Sequence, residues 1–348
     1  MLEGLTSLHR ALERTPGSCS LVVPIYNDGY LAEAFCEEVA RSVLPRLPGN
    51  QCEIVFVNDG SRDQSQVQLK AVAERYPWVT VIELSRNFGQ HAAVLCGYRH
   101  ATGYYVAMLN VDMQDPPSQV PVLIERLERE NADIAIGLRQ ERKDPLLAKA
   151  GSFVFNSLMN FLTGSHMPLN MAALRIMNRA FLDAFLEFGE RSPYIPGLEA
   201  WLGFKKVYVL IPHQARQQGK SSYTIRSRVR MAYNSILSFS DYPLKLMTSI
   251  GLATVGMGLV WGVYAVWVRL TNPTAATGFA SLLSAIIVFG GLNLAGLGVA
   301  SLYIGRILSE VQRRPSFVIR SRIASQQEAG PTAGANQNRV ANESIYVS

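Results

Sequence analysis

Over most of the chain, apolar and polar positions follow one repeating order. A short apolar run leads into a turn rich in Asn, Asp and Gly, and apolar residues at helical spacing follow. Residues 19–26 (C-S-L-V-V-P-I-Y) read as a buried strand, with a turn at Asn27, Asp28 and Gly29. Residues 31–47 carry apolar side chains at helical spacing and stop at Pro48 and Gly49. The unit then recurs as strand 53–57 into Asn58, Asp59, Gly60 and Ser61, helix 64–76 and strand 79–84. It continues with a helix from about 91 to 101, strand 106–109, helix 118–130 and strand 133–138. Strands alternating with helices of this length predict right-handed βαβ units and a mostly parallel α/β sheet. Residues 146–161 depart from the alternation as an apolar helical stretch, and 171–213 mix strand and helix, closing on strand 206–211.

Beyond residue 215 the pattern changes. Residues 216–230 hold five basic side chains (Arg216, Lys220, Arg226, Arg228 and Arg230) and no acid, and 231–239 carry apolar residues at helical spacing. Together, 216–243 fit an interfacial amphipathic helix on an anionic leaflet; a solvated basic helix fits the same pattern. Residues 244–268 contain one charge, Lys245, and 280–304 contain none. Each exceeds the ~20 residues needed to cross the hydrocarbon core, so two transmembrane helices are expected. Glycines at 251, 256, 258 and 262, and at 290, 291, 296 and 298, suit close helix-to-helix approach. Basic residues crowd the outer flanks, whereas the connection carries only Arg269, which predicts that both termini face the cytoplasm. Residues 1–17 read as a lead-in, 18–215 as the α/β domain, 305–324 as a cytosolic segment and 325–348 as a disordered tail.

Composition sharpens this division. The 348 residues are 48% hydrophobic and 17% charged, with mean hydropathy +0.10, and the apolar excess collects in the two spans. The net charge of +6 points to lipid head groups and phosphorylated substrates. No zinc finger, RNA-recognition strand or basic stripe interleaved with aromatics is present, so nucleic acid is not an expected partner. The four cysteines lack paired spacing and fit a structural role in a reducing compartment. No continuous apolar run opens the chain, so no signal peptide is expected.

Candidate chemistry gathers at 106–117, V-A-M-L-N-V-D-M-Q-D-P-P. An apolar run empties there into Asn110, Asp112, Gln114 and Asp115, and two prolines end the strand. In an extended segment Asn110, Asp112 and Gln114 share one side. Three hard oxygen donors suit Mg²⁺ or Mn²⁺ and leave positions for a diphosphate; an acidic turn is the plain alternative. Asp59, at another strand end, can accept hydrogen bonds from a base or ribose, or close a simple Asx turn. No Gly-x-Gly-x-x-Gly or Walker lysine accompanies these motifs. His91 fits either a diphosphate contact or a structural role, and Arg99 and His100 read as a solvated helix end.

The ordered set P-I-Y-N-D (24–28), N-D-G-S-R-D (58–63), S-R-N-F-G-Q-H (85–91) and N-V-D-M-Q-D-P-P (110–117) resembles the inverting, GT-A-fold family 2 glycosyltransferases. R-Q-Q-G-K-S-S-Y (216–223), D-Y-P-L (241–244) and L-Y-I-G-R-I-L-S-E-V-Q-R-R-P (302–315) are similar to the polyprenyl-phosphate branch. The resemblance implies transfer of a monosaccharide from a nucleotide-sugar, most simply a UDP-sugar, to undecaprenyl phosphate or a like lipid. It places Pro24, Tyr26, Asp28, Asp59, Asn87, Gln90, Asn110 and Val111 around the nucleotide-sugar. Asp112 and Gln114 would hold the metal, and Asp112, Arg139 and Arg216 would form the catalytic set. Arg139, Lys149, Arg216, Ser221 and Tyr223 would receive the acceptor phosphate. It further implies a bacterial inner-membrane location, membrane lipids as partners and a homo-oligomer, tetramers included.

The pattern also has departures. Asn110 and Asn58 stand where relatives often carry Asp, Ala148 where they carry Arg, and L-N-M-A (169–172) where they carry D-x-G. Weaker metal and acceptor binding is the expected consequence. A membrane glycosyltransferase with a different lipid-linked or polymeric acceptor, and a nucleotide-sugar-binding scaffold without turnover, are the alternative readings.

Overall fold

The computed structural model describes residues 17–139, 168, 170–188, 195–212, 242–271, 278–312 and 314–323. Two compact units divide the chain. Met1–Ser157, Ser165–Ser222 and Pro315–Ser348 make the first, and Leu158–Gly164 with Tyr223–Arg314 the second.

The first unit is built on one eight-stranded sheet. Its strands are β1 (Cys19–Ile25), β2 (Cys52–Asn58), β3 (Val79–Leu84), β4 (Tyr105–Met108), β5 (Ile134–Arg139), β6 (Met171–Asn178), β7 (Lys206–Ile211) and β8 (Ile319–Ile323), in the order β7-β5-β6-β4-β1-β2-β3-β8. β1, β2, β3 and β4 are parallel, as are β5 and β7, while β6 and β8 run against their neighbours. The mostly parallel sheet is the one the alternation predicts. Central strands with apolar residues on both faces need cover on both, and β1 is buried at almost every position. Side chains such as Phe35, Phe56, Leu21 and Ile54 are fully buried, each worth about 1.5–3 kcal/mol.

The helices bury the faces their spacing predicts. α1 (Ala32–Ser42) buries Ala32, Phe35, Cys36 and Val39, and α4 (Val120–Arg129) buries Val120, Leu123, Ile124 and Leu127. α2 (Ser65–Arg75), α5 (Arg179–Leu186) and α6 (Ile195–Trp201) complete the layers with α3 (Gln90–His100). α3 is apolar nearly all round and packs across β1 and β2. Gly97 permits that approach, since a Cβ there would lie 2.2 Å from Val22 Cγ1. Asn178 caps α5 by accepting the Phe181 N–H at 2.9 Å. All four cysteines are buried free thiols.

β8 was not expected, because the pattern alone marks 305–324 only as a cytosolic segment and assigns it no strand. The chain instead returns after its apolar helices and adds an antiparallel strand to the outer edge of β3. The reason is non-local: the pairing lies more than 230 positions away along the sequence. Arg99 likewise packs over Phe317 and is not merely a solvated helix end.

The second unit contains α7 (Tyr242–Thr271) and α8 (Phe279–Val311), both long and apolar enough to cross a membrane. Their apolar side chains are exposed, Val260 and Leu294 each to 72%. Hydroxyls of Thr248, Ser249, Thr254 and Ser301 donate to carbonyls one turn back, the satisfaction that a lipid environment demands. Within one chain, a Cβ at Gly251, Gly256, Gly258, Gly262, Gly290, Gly291, Gly296 or Gly298 would meet no atom within 4 Å. The expected interfacial helix, the lead-in and the tail lie outside the described residues.

Candidate active site

Parallel strands bring their carboxyl ends to one edge of the sheet. The order reverses there between β1 and its two neighbours, β2 and β4, which makes a crevice where open α/β sheets hold ligands. The loops after β1, β2, β3 and β4 carry the sequence motifs, and Arg139 ends β5.

The first two loops are tied by side chains. Asn27, at φ 59, donates its N–H to Ser61 Oγ at 2.9 Å and accepts the Arg62 N–H at 3.0 Å. Gly29 N–H donates to Ser65 Oγ at 2.9 Å. Asn58 accepts the Ser61 N–H and donates through Nδ2 to Gln66 Oε1 at 2.8 Å. A carboxylate at position 58 has no proton to donate, so the amide suits this loop. Pro24 lies in β1, Tyr26 is exposed just beyond it, and Asp28 accepts the Leu31 N–H through its backbone carbonyl.

Asp59 is 3% exposed and braces the third loop, accepting the Phe88 N–H at 2.7 Å and the Gly89 N–H at 2.9 Å on its two oxygens. Burial raises its pKa above the usual carboxylate value, while the two amides and Arg86 pull it back. Asn87 is exposed on this loop. Gly60, at φ 62, lets the loop pass, because a Cβ there would lie 2.3 Å from the Arg86 carbonyl carbon. Gln90 Nε2 donates to Asn110 Oδ1 at 3.2 Å, linking the third loop to the fourth.

The fourth loop corrects the expected geometry. β4 stops at Met108, and residues 110–113 form a turn with Met113 at φ 53 and its N–H donated to the Asn110 carbonyl. The alternation of an extended strand therefore does not place Asn110, Asp112 and Gln114 on one side. The turn instead folds Gln114 N–H onto Asp112 Oδ1 at 3.3 Å. Asp112 is half-buried, whereas the Val111 side chain packs into the core.

Sequence reasoning gave Asp115 no role. Buried, it accepts from Arg139 Nε at 3.0 Å, Arg139 Nη2 at 3.1 Å and Ala173 N at 2.8 Å. Arg139, expected at a phosphate, is therefore held by a bidentate pair. On the neighbouring strand β6, Arg175 Nη1 donates to both oxygens of Glu199 at 3.0 and 2.9 Å, a buried ion pair. Burial pushes Glu199's pKa up and Arg175 draws it down. Burial and then Arg175 lower the pKa of His91 to about 4. The only sequence signal for these pairs was the presence of the residues, since their partners are 24 positions apart. Lys149, Arg216, Ser221, Tyr223 and Ala148 lie outside the described residues.

The profile of glycosyl transferase family 2 matches residues 20–186. The undecaprenyl-phosphate 4-deoxy-4-formamido-L-arabinose transferase of Klebsiella pneumoniae (strain 342) is 32% identical over 324 residues, 92% of this chain and 97% of that protein. A prophage bactoprenol glucosyl transferase homolog of Escherichia coli (strain K12) is 31% identical over 302 residues, 86% of this chain and 98% of that protein. The uncharacterized glycosyltransferase YkcC of Bacillus subtilis (strain 168) is 30% identical across 86% of this chain and 92% of its own length. Among solved structures, the mannosyltransferase PcManGT of Pyrobaculum calidifontis superposes with TM-score 0.46 at 15% identity, covering 90% of this chain and 94% of that one. With relatives above 30% identity along nearly their whole length, the chain belongs to the family 2 glycosyltransferases.

Proposed function

We propose that the protein transfers a monosaccharide from a nucleotide-sugar, a UDP-sugar first, to a polyprenyl phosphate such as undecaprenyl phosphate, with inversion at the anomeric carbon. The observation that carries this reading is the reach of the similarity. A transferase named for undecaprenyl phosphate matches 92% of the chain, across both the sheet and the two apolar helices. An acceptor with its tail in lipid and its phosphate at the head-group plane requires an enzyme anchored there. The basic flanks favour the cytoplasmic face of a bacterial inner membrane, with both termini inside.

A phosphate monoester with a second pKa near ~6 is largely dianionic at neutral pH, so the acceptor is already a nucleophile. What remains is to bring two anions together and to accommodate the leaving diphosphate. Asp28, Asn87, Gln90 and the loop braced by Asp59 hold the nucleoside. Arg139, fixed by Asp115, serves the acceptor phosphate, a role the family pattern also gives to Lys149, Arg216, Ser221 and Tyr223. The donor set suits Mg²⁺ or Mn²⁺. Asp112 is a half-buried carboxylate oriented by Gln114, amide oxygens of Asn110 and Gln114 lie on the same short turn, and Asp115 is already paired. One carboxylate with amide oxygens matches a cation that takes most of its ligands from substrate phosphate and water. Bound there, the cation would neutralise the charge that develops on the departing diphosphate.

The test is transfer of label into an organic-extractable product. Full-length protein in detergent is given undecaprenyl phosphate, Mn²⁺ and a panel of labelled UDP-sugars. Lipid-linked label that is released by mild acid supports the proposal. Donor binding without any transfer to lipid would instead identify a scaffold.

A further inference from the structure

β8 has no part in the site as described so far, yet it lies against the loop that carries Asn87 and Gln90. Val81, Ile82 and Glu83 of β3 face Ile323, Arg322 and Ser321, and the register shifts between Glu83 and Leu84, where β3 gives way to that loop. Past the shift, the C-terminal segment holds the loop itself. Ser85 N–H donates to the Val318 carbonyl at 2.8 Å, and Arg320 Nη2 donates to the Ser85 carbonyl at 3.2 Å. Arg320 Nη1 and Ser321 Oγ donate to the Glu83 carboxylate at 3.3 and 2.8 Å. Phe317 packs with Phe88 on the apolar cluster of Val55, Val57, Ile82, Leu84, Ala93 and Cys96. The Arg99 guanidinium covers Phe317, 5.6 Å from its ring centroid.

We propose that Phe317 and Arg320 are positioning residues for the donor nucleotide. Residues 85–89 have no regular structure, and a strand-end loop stays in one conformation only where its backbone groups are paired. Asp59 pairs this loop from the inner side at Phe88 and Gly89, and the C-terminal segment pairs it from the outer side at Ser85. β8 therefore pre-organises the loop, and nucleotide binding strengthens the docking of β8 by the same coupling. The inference rests on the nucleotide-sugar site proposed above.

The experiment uses the full chain in detergent with Mn²⁺. UDP, GDP, ADP, CDP and dTDP are titrated calorimetrically, and the tightest is taken forward. Phe317→Ala should weaken its binding about fivefold or more and Arg320→Ala about twofold, with Phe317→Leu close to wild type. Hydrogen exchange at residues 85–89 should quicken in both alanine variants. In the wild type, nucleotide should slow exchange at 85–89 and at 319–323 together. The donor KM should rise by more than kcat falls. Arg320 is 62% exposed, so its variant keeps the test open even if Phe317→Ala fails to fold. Wild-type binding with unchanged affinity and unchanged loop exchange in the variants overturns this inference alone. A fall in thermal stability without any change in affinity also overturns it, leaving β8 as a structural strand. Failure of the wild type to bind any of the five nucleotides removes the donor site and this inference with it.

Discussion

The two flanks of the crevice are held in different ways. On the β1–β2–β3 side, neutral side chains and backbone amides close a continuous set of hydrogen bonds from Asn27 through Ser61 and Asn58, and Asp59 ties in the third loop. On the β4–β5–β6 side, charges are paired with charges: Asp115 with Arg139, Arg175 with Glu199. Asp112 sits between them on a turn, half-buried. Recognition of a nucleoside needs a shape settled before the ligand arrives. Transfer between two anions needs fixed charges in a site of low dielectric. Under the proposed function, the hydrogen-bonded flank would bind the nucleoside and the charged flank would manage the phosphates.

The largest expected effect on stability falls on the charged flank. Glu199→Ala leaves Arg175 buried without its carboxylate and should cost about 3–5 kcal/mol, read as thermal unfolding of the full chain in detergent. Adding Arg175→Met should recover part of the loss, because a packed apolar pair tolerates burial. No recovery would mean that Arg175 serves more than this pair.

His91, at the start of α3, tests how dry the surroundings of Arg175 are. Its folded pKa of about 4 lies below the ordinary value of 6.5, so the folded state takes up this proton less readily than the unfolded chain. Its contribution is complete above pH 6.5 and is lost as pH falls through about 4, a total near ~3 kcal/mol. Asp59 and Glu199, with raised pKa values, act in the opposite sense as pH falls. The informative quantity is thus the difference between wild type and His91→Gln. The variant should lose less stability between pH ~7.5 and ~5, and equal losses would place His91 in water.

The smallest of these effects belongs to the hydrogen-bonded flank. Gly60→Ala places a Cβ against the Arg86 backbone at positive φ and should cost about 2 kcal/mol. If that flank binds the nucleotide, the donor KM should rise while the acceptor KM stays put. A rise in the acceptor KM alone would exchange the roles of the two flanks.

Local pattern was enough for most of the sheet. The strands at Val79–Leu84 and Lys206–Ile211 begin and end where the apolar runs do; burial is nearly continuous along the first, whereas the second, at the edge of the sheet, leaves Tyr208 and Leu210 exposed. Motifs at strand ends placed Asp59 and Asn110 on the correct edge, since parallel strands share a carboxyl end. Three features were not legible. β8 reads Ile-Arg-Ser-Arg-Ile, mostly polar, and becomes a strand only through a distant partner. The turn at 110–113 depends on a left-handed Met113, a conformation no residue type announced. The roles of Asp115 and Glu199 depend on guanidinium partners brought near by folding, which spacing along the chain does not encode.

The most direct test is the rate of sugar transfer to undecaprenyl phosphate as Mn²⁺ is titrated, compared between wild type and Asp112→Ala. If Asp112 seats the cation that lets one anion displace another, the variant should turn over about a thousandfold more slowly, ~4 kcal/mol, with its thermal stability intact. Turnover within about tenfold of wild type, along the same Mn²⁺ curve, would contradict that role and move the chemistry elsewhere in the crevice.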